Sequence, residues 1–182
     1  MSTLNRAIEI AAEAHEGAID KYGAPYINHV TRVMNMGGSD SEKIVGVLHD
    51  VIEDTHWTFE DLEKEGFSKE VINALRCVTK TSEDEDYEEF ITRVKISPLA
   101  VKVKLNDLTD NLDVKRMPEV LESDLKRLNK YLRAYNELIM EKTHIFTMLY
   151  RSHLTIFSID NQYEKGSKKN AMVWSTTAYF PG

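Results

Sequence analysis

The sequence predicts an all-α single domain followed by a tail of different character. Three observations predict it. Apolar residues recur at helical spacing through most of the first 141 positions. Ser, Thr and Asp stand where helices would begin, and Gly where they would stop. No alternating apolar–polar run and no internal repeat interrupts that pattern.

The elements follow in order. Residues 3–15 place Leu4, Ala7, Ile8, Ala11 and Ala12 on one stripe. Asp20 to Pro25 is a loop, and Pro25 suits the first turn of a helix over about 26–36 that Gly37 and Gly38 end. Ser39 or Asp40 caps a third helix, expected to run unbroken to about Glu53. Thr58 to Asp61 resembles a capping box, with Asp61 where Glu or Gln is usual. Gly66 closes that short helix, and Ser68 caps the next, through Lys80. The acidic run from Glu83 to Glu89 reads as a solvated helix start, where carboxylates favour the macrodipole. Helices then follow to about Lys95, from Pro98 to Leu112, and from about 119 to 142.

Composition bounds the rest. A chain of 182 residues is one domain by length and long enough to bury a core. With Lys+Arg 23 and Asp+Glu 30, the net charge of -7 argues against nucleic acid as the partner, because phosphate neutralisation needs a basic face. A small phosphorylated molecule can still be bound through a local cation. One cysteine, Cys77, rules out an internal disulfide and sits in an apolar helical context as a structural thiol. No apolar run approaches the roughly 18 residues of a membrane span, and the N-terminus lacks a signal-peptide pattern. The expectation is a cytoplasmic protein with no membrane partner, and homo-oligomerisation is left open.

The last segment differs. From 142 onward there are five Lys/Arg and two Asp/Glu, so this segment carries +3 and residues 1–141 carry -10. His144–Tyr150 and Leu154–Ile159 are rich in β-branched and aromatic residues, compatible with short strands, a continued helix or a docked tail.

The residues that carry chemistry cluster in Val47-Leu48-His49-Asp50-Val51-Ile52-Glu53-Asp54. His49 and Glu53 are four apart, as are Asp50 and Asp54, so a continuous helix projects all four from one side. Burying them is costly unless they are paired or bind a metal. His29, taken alone, reads as a core histidine beside Ile27, Val30 and Val33. Asp107, inside a hydrophobic helix with Asn111 on the same face, is an expensive carboxylate to leave unpaired. Together His29, His49, Asp50 and Asp107 form an N/O ligand set suited to Mn²⁺, with Fe²⁺, Co²⁺ or Zn²⁺ as substitutes. Glu53 and Asp54 are placed to orient a water or exchange its proton.

These residues, in this order, resemble the HD-domain metal phosphohydrolases, and most closely the hydrolase domain of RelA/SpoT homologues. Five blocks carry the resemblance: Ala14-His15-Glu16-Gly17, Asp20 through His29, Leu48 through Thr55, Val78-Thr79-Lys80, and Lys104 through Asn111. The resemblance covers about residues 4–140. It implies an HD-domain helical bundle over 1–141 with a C-terminal extension, 142–182. It also implies a Mn²⁺-dependent enzyme that removes the 3′-pyrophosphate of the alarmone (p)ppGpp, leaving GDP or GTP.

By this resemblance His29, His49, Asp50 and Asp107 hold the metal, Glu53 and Asp54 assist the attacking water, and Lys21 and Asn111 touch substrate. No counterpart of the family's synthetase domain is present, which points to a small stand-alone alarmone hydrolase. Two positions depart from the family pattern: Asp20 precedes Lys21 where a basic pair is usual, and Asp110 stands where His is frequent. Two alternatives stay open. One is an HD phosphohydrolase acting on another phosphorylated nucleotide, such as the 2′-phosphate of NADPH or a nucleoside monophosphate. The other is a non-catalytic nucleotide-binding module.

Overall fold

The computed structural model describes residues 2–82 and 84–140, all within one unit, Met1–His144. The expectations for 142–182 lie outside the described residues. In chain order the helices are α1 Leu4–Ala14, α2 Ile27–Asn35, α3 Asp40–Leu48, α4 Val51–Asp54, α5 Phe59–Lys64, α6 Lys69–Val78, α7 Tyr87–Val94 and α8 Pro98–Asn111. A 3-10 turn, Val114–Arg116, leads to α9, which is helical from 122 to 140. The described residues contain no strand, only an isolated bridge between Ile19 and Pro25. The all-α expectation is met.

Local chemistry sets most helix starts. Thr3, Ser39, Thr58, Ser68, Asp86 and Ser97 each accept a first-turn backbone N–H through the side chain. Such caps are each worth about 1 kcal/mol. The Thr58 capping box closes with Asp61 in place of Glu, so the shorter carboxylate still reaches the cap N–H, at 3.3 Å. Gly66 has a φ of +87°, a left-handed conformation that only glycine adopts without strain.

Helix α8 runs through the centre. Leu99, Ala100, Val101, Val103, Leu105 and Leu108 are all buried, and α8 packs on α2, α3, α6 and α7. A helix apolar on nearly every side belongs in a core, so Asp107 and Asp110 on it are buried as well, at 4% and 5% exposure. Leu138 and Ala134 of α9 reach the same core.

Three expectations are corrected. The buried face of α1 is Ala7, Ile10 and Ala11, with Ile8 and Ala12 exposed. The 4/7/11 stripe admits Ile10 as well as Ile8, and packing against α3 selects Ile10. Pro25 lies just before Tyr26, the N-cap of α2, and pairs with Ile19 rather than entering the helix. The third helix is not continuous to Glu53. His49 Nδ1 donates to Gly46 O at 2.8 Å, the carbonyl that the Asp50 N–H would take in an unbroken helix. Asp50 sits at φ -99°, ψ -6°, and α4 starts afresh after it.

At Gly46 the backbone of α3 lies close to that of α2. A Cβ there would stand 3.2 Å from the backbone N and Cα of Met34 and 3.4 Å from C of Val33. His29 lies on α2 and His49 directly follows α3, so this contact lies between the elements that carry the two imidazoles. Gly46→Ala is expected to lose about 1–3 kcal/mol, the usual cost of overpacking. Urea unfolding checks this, and a midpoint equal to that of the parent would refute the close approach.

Candidate metal centre

Two helices and one interhelical turn bring the ionisable residues together. His29 comes from α2, His49 and Asp50 from the turn between α3 and α4, and Asp107 from α8. Ligating atoms of His29, His49 and Asp50 lie within 4.8 Å of one another. Asp107 Oδ1 stands 3.3 Å from His29 Nε2 and 3.6 Å from His49 Nε2, while Asp50 Oδ2 is 3.5 Å and 3.1 Å from the same atoms.

The two imidazoles are held from behind. His29 Nδ1 donates to Asp110 Oδ2 at 2.6 Å, and His49 Nδ1 donates to Gly46 O at 2.8 Å. Since a carboxylate and a carbonyl can only accept, both Nδ1 atoms carry hydrogen in the neutral rings. Both Nε2 lone pairs therefore face the oxygens of Asp50 and Asp107. His49 Nε2 is buried and makes no hydrogen bond. Lone pairs set against carboxylates demand positive charge between them, supplied either by protons or by one cation.

The electrostatics express that demand. Burial opposes charging His29, but Asp107, Asp110 and Asp50 outweigh it and push its pKa up to about 11. Burial likewise opposes charging His49, and the neighbouring Asp50 and Asp107 raise it to about 9. Asp50 and Asp107 resist their own desolvation and stay well below the usual carboxylate range. The imidazoles do this for Asp50, and Lys104 together with both imidazoles for Asp107. These groups fit a divalent cation: two neutral nitrogens, two carboxylates and no thiolate among them.

Surrounding groups fix the carboxylates. Tyr26 Oη donates to Asp50 Oδ2 at 2.7 Å, and burial beside that carboxylate keeps the phenol protonated. Lys104 Nζ and Asn111 Nδ2 each donate to Asp107 at 2.6 Å. His15 is 3% exposed behind Tyr26, with its ring 5.0 Å away, and burial lowers its pKa, so it stays neutral.

The cluster floors a pocket of about 280 Å³. Asp50, Glu53 and Asp54 line it, whereas His49 lies beneath it at 2% exposure. The break after α3 thus puts the four groups of this motif at different depths rather than on one helical face. Glu53 accepts from the Lys80 backbone N–H, with Lys80 Nζ 3.8 Å from its other oxygen. Asp54 is on the open wall, where partial desolvation and the Asp50 charge push its pKa up to about 6. Lys21 lines the pocket but pairs with Asp124 of α9, and Asn111 lines it while bonded to Asp107.

Sequence reasoning missed most of the pocket's cations. Lys80, Lys104, Arg116 and Arg127 line it together with Lys21, beside the carboxylates of Asp20, Asp50, Glu53, Asp54, Asp107 and Asp113. Lys80 and Lys104 lay inside the recognised blocks without an assigned role. Nothing local marked Arg116 or Arg127. Arg127 donates to Tyr22 Oη, 105 positions away, and Arg116 donates to Asp20, 96 away.

No protein-family model matches the chain. It is 31% identical over 172 residues to the guanosine-3′,5′-bis(diphosphate) 3′-pyrophosphohydrolase of Aquifex aeolicus (strain VF5), covering 88% of this chain and 23% of that one. It is 31% identical over 123 residues to the bifunctional (p)ppGpp synthase/hydrolase SpoT of Escherichia coli (strain K12), covering 60% and 17%. The chain thus spans less than a quarter of the length of these curated relatives. It is similar in fold to a solved structure described as a metazoan orthologue of SpoT that hydrolyses ppGpp. The TM-score is 0.62 at 24% identity, covering 80% of this chain and 94% of that one. Among the described residues no helix is long and apolar enough to cross a membrane.

Proposed function

We propose that this chain, an HD-domain protein of the RelA/SpoT-like kind in sequence and fold, is a metal-dependent (p)ppGpp 3′-pyrophosphohydrolase. Residues 1–141 form the hydrolase domain and 142–182 an extension. The observation that carries the reading is the pair of Nε2 lone pairs set against Asp50 and Asp107 under a pocket whose lining includes five cations, Lys21, Lys80, Lys104, Arg116 and Arg127, among its carboxylates. His29, His49, Asp50 and Asp107 would hold the cation, Mn²⁺ first. Bound there, it supplies Lewis acidity and a lowered pKa for water.

The remaining steps belong to the side chains. Glu53 and Asp54 orient the attacking water and accept its proton. The water oxygen bonds to the phosphorus attached to the 3′-oxygen, and the bond between that phosphorus and the 3′-oxygen breaks. The 3′-oxygen takes up a proton, and GDP or GTP leaves with pyrophosphate. Lys21 and Arg127 neutralise the phosphates, with Lys21 exchanging Asp124 for substrate, and Asn111 faces the same ligand.

The test is pyrophosphate release from ppGpp by metal-stripped protein, with and without Mn²⁺. Mn²⁺-dependent pyrophosphate with GDP as co-product is expected. Bound Mn²⁺ without turnover would transfer the reading to another phosphorylated nucleotide, which Asp20 in the place of a basic residue favours. Absence of Mn²⁺ binding would overturn the metal centre.

The pH profile gives an independent check. A water-activating carboxylate acts only when ionised, so with Asp54 raised to about 6 it is competent above that pH and lost below it. The value of kcat/KM is expected to fall about tenfold per pH unit below about 6. Asp54→Asn should remove that limb along with most of the rate. An acid limb that persists in the variant would clear Asp54 of the role.

A further inference from the structure

The proposed chemistry leaves one buried carboxylate unused. Asp110 lies behind His29, one turn beyond Asp107 on α8, and accepts from three residues, His29, Arg32 and Arg116. His29 Nδ1 donates to its Oδ2 at 2.6 Å, Arg32 Nη2 donates to the same oxygen at 3.2 Å, and Arg32 Nε donates to Oδ1. Arg116 Nη1 donates to Asp110 as well, and its Nη2 donates to Asp20 Oδ2 at 2.8 Å. The two positions that depart from the family pattern, Asp20 and Asp110, are thus joined by one guanidinium.

We propose that Asp110 is the positioning residue of His29, fixing the ring so that Nε2 points into the metal centre, while Arg32 and Arg116 hold Asp110 in place. This rests on reading His29 as a metal ligand. A carboxylate on the distal nitrogen locks the tautomer, sets the ring angle and raises the basicity of the ligating nitrogen. Arg32 and Arg116 balance Asp110 and Asp20 in charge, two cations against two acids, so this carboxylate adds no net repulsion to Asp50 and Asp107. A merely structural ion network would tie α2 to α8 equally well, but it would have no effect on metal affinity in the folded protein.

The experiment titrates Mn²⁺ into metal-stripped full-length protein, following loss of the free-ion EPR signal, for the parent, Asp110→Ala and Asp110→Asn. Thermal unfolding and the low-field His Nδ1–H proton resonance are recorded alongside. Asp110→Ala is expected to weaken Mn²⁺ binding by about 10–100-fold, as loss of a ligand's outer partner does, and to remove the Nδ1–H resonance. Asp110→Asn keeps an acceptor oxygen and should weaken binding by a smaller factor. Parent-like Mn²⁺ affinity in Asp110→Ala, even with a lowered Tm, overturns the proposal. If the alanine variant does not fold, parent-like affinity in Asp110→Asn overturns it and weakened affinity upholds it. A parent protein that binds no Mn²⁺ defeats the metal centre itself, an outcome distinct from parent-like variants.

Discussion

Asp50→Ala is expected to lower both Mn²⁺ affinity and ppGpp turnover by more than about 100-fold. Outer partners of metal ligands already cost about 10–100-fold when removed, so a direct ligand sets a larger loss. In energy this exceeds about 2.7 kcal/mol, two factors of ten. Stability should change little. Asp50 is the N-cap of α4 but makes no side-chain cap bond, so no cap is lost. Its one hydroxyl partner, Tyr26, keeps access to the pocket. Steady-state turnover, Mn²⁺ titration and thermal unfolding together check this. A variant retaining a tenth or more of the turnover would remove Asp50 from the metal site.

Asp107→Ala is expected to damage both the site and the fold. Asp107 Oδ2 is the ion-pair partner of Lys104, whose side chain is 13% exposed and lies 4.9 Å over the Phe90 ring. Removing one member of a buried pair leaves an uncompensated charge and costs about 3–5 kcal/mol, and slight exposure of the ammonium favours the lower end. At about 2–4 °C per kcal/mol for a chain of this size, Tm should fall by about 6–12 °C. The double variant Asp107→Ala/Lys104→Met removes the stranded charge and should recover most of that loss without restoring Mn²⁺ binding. Calorimetry beside metal titration separates the two effects. An Asp107→Ala protein that melts with the parent would show that Lys104 does not depend on this carboxylate.

The candidate site was half legible in the sequence, and the dividing line is physical. His49, Asp50 and Asp107 stood out because each places a polar group inside an apolar helix, where burial demands a partner, whereas His29 alone reads as a core histidine and joins the set only beside them. Glu53 and Asp54 were picked by their spacing from His49 and Asp50, and both line the pocket, but the break after α3 removes the shared helical face which that spacing assumed. Asp110 stands one turn from Asp107 in the same helix, yet only the approach of α2 turns it towards His29. Arg32, Arg116 and Arg127 carried no local signature, because an arginine in a polar context is ordinary surface until a distant acid meets it. Lys21 was assigned to substrate, and only the docking of α9 showed that Asp124 engages it first.

By itself the sequence determined what depends on neighbours within four positions. Helix starts at Ser39, Thr58 and Ser68, the all-α class and the presence of ionisable groups that need partners inside apolar helices all follow from local bonds and from the cost of burying charge. Only the tertiary structure decided which side of α1 faces inward, what stands behind His29, and which distant cations line the pocket. Those outcomes depend on contacts between residues up to 105 positions apart, such as Tyr22 with Arg127. Such contacts form only where packing brings helix faces together. The break at His49 joins the two levels: a local side-chain bond to Gly46 ends the helix, and the same Gly46 lies close against the backbone of α2, the helix that carries His29.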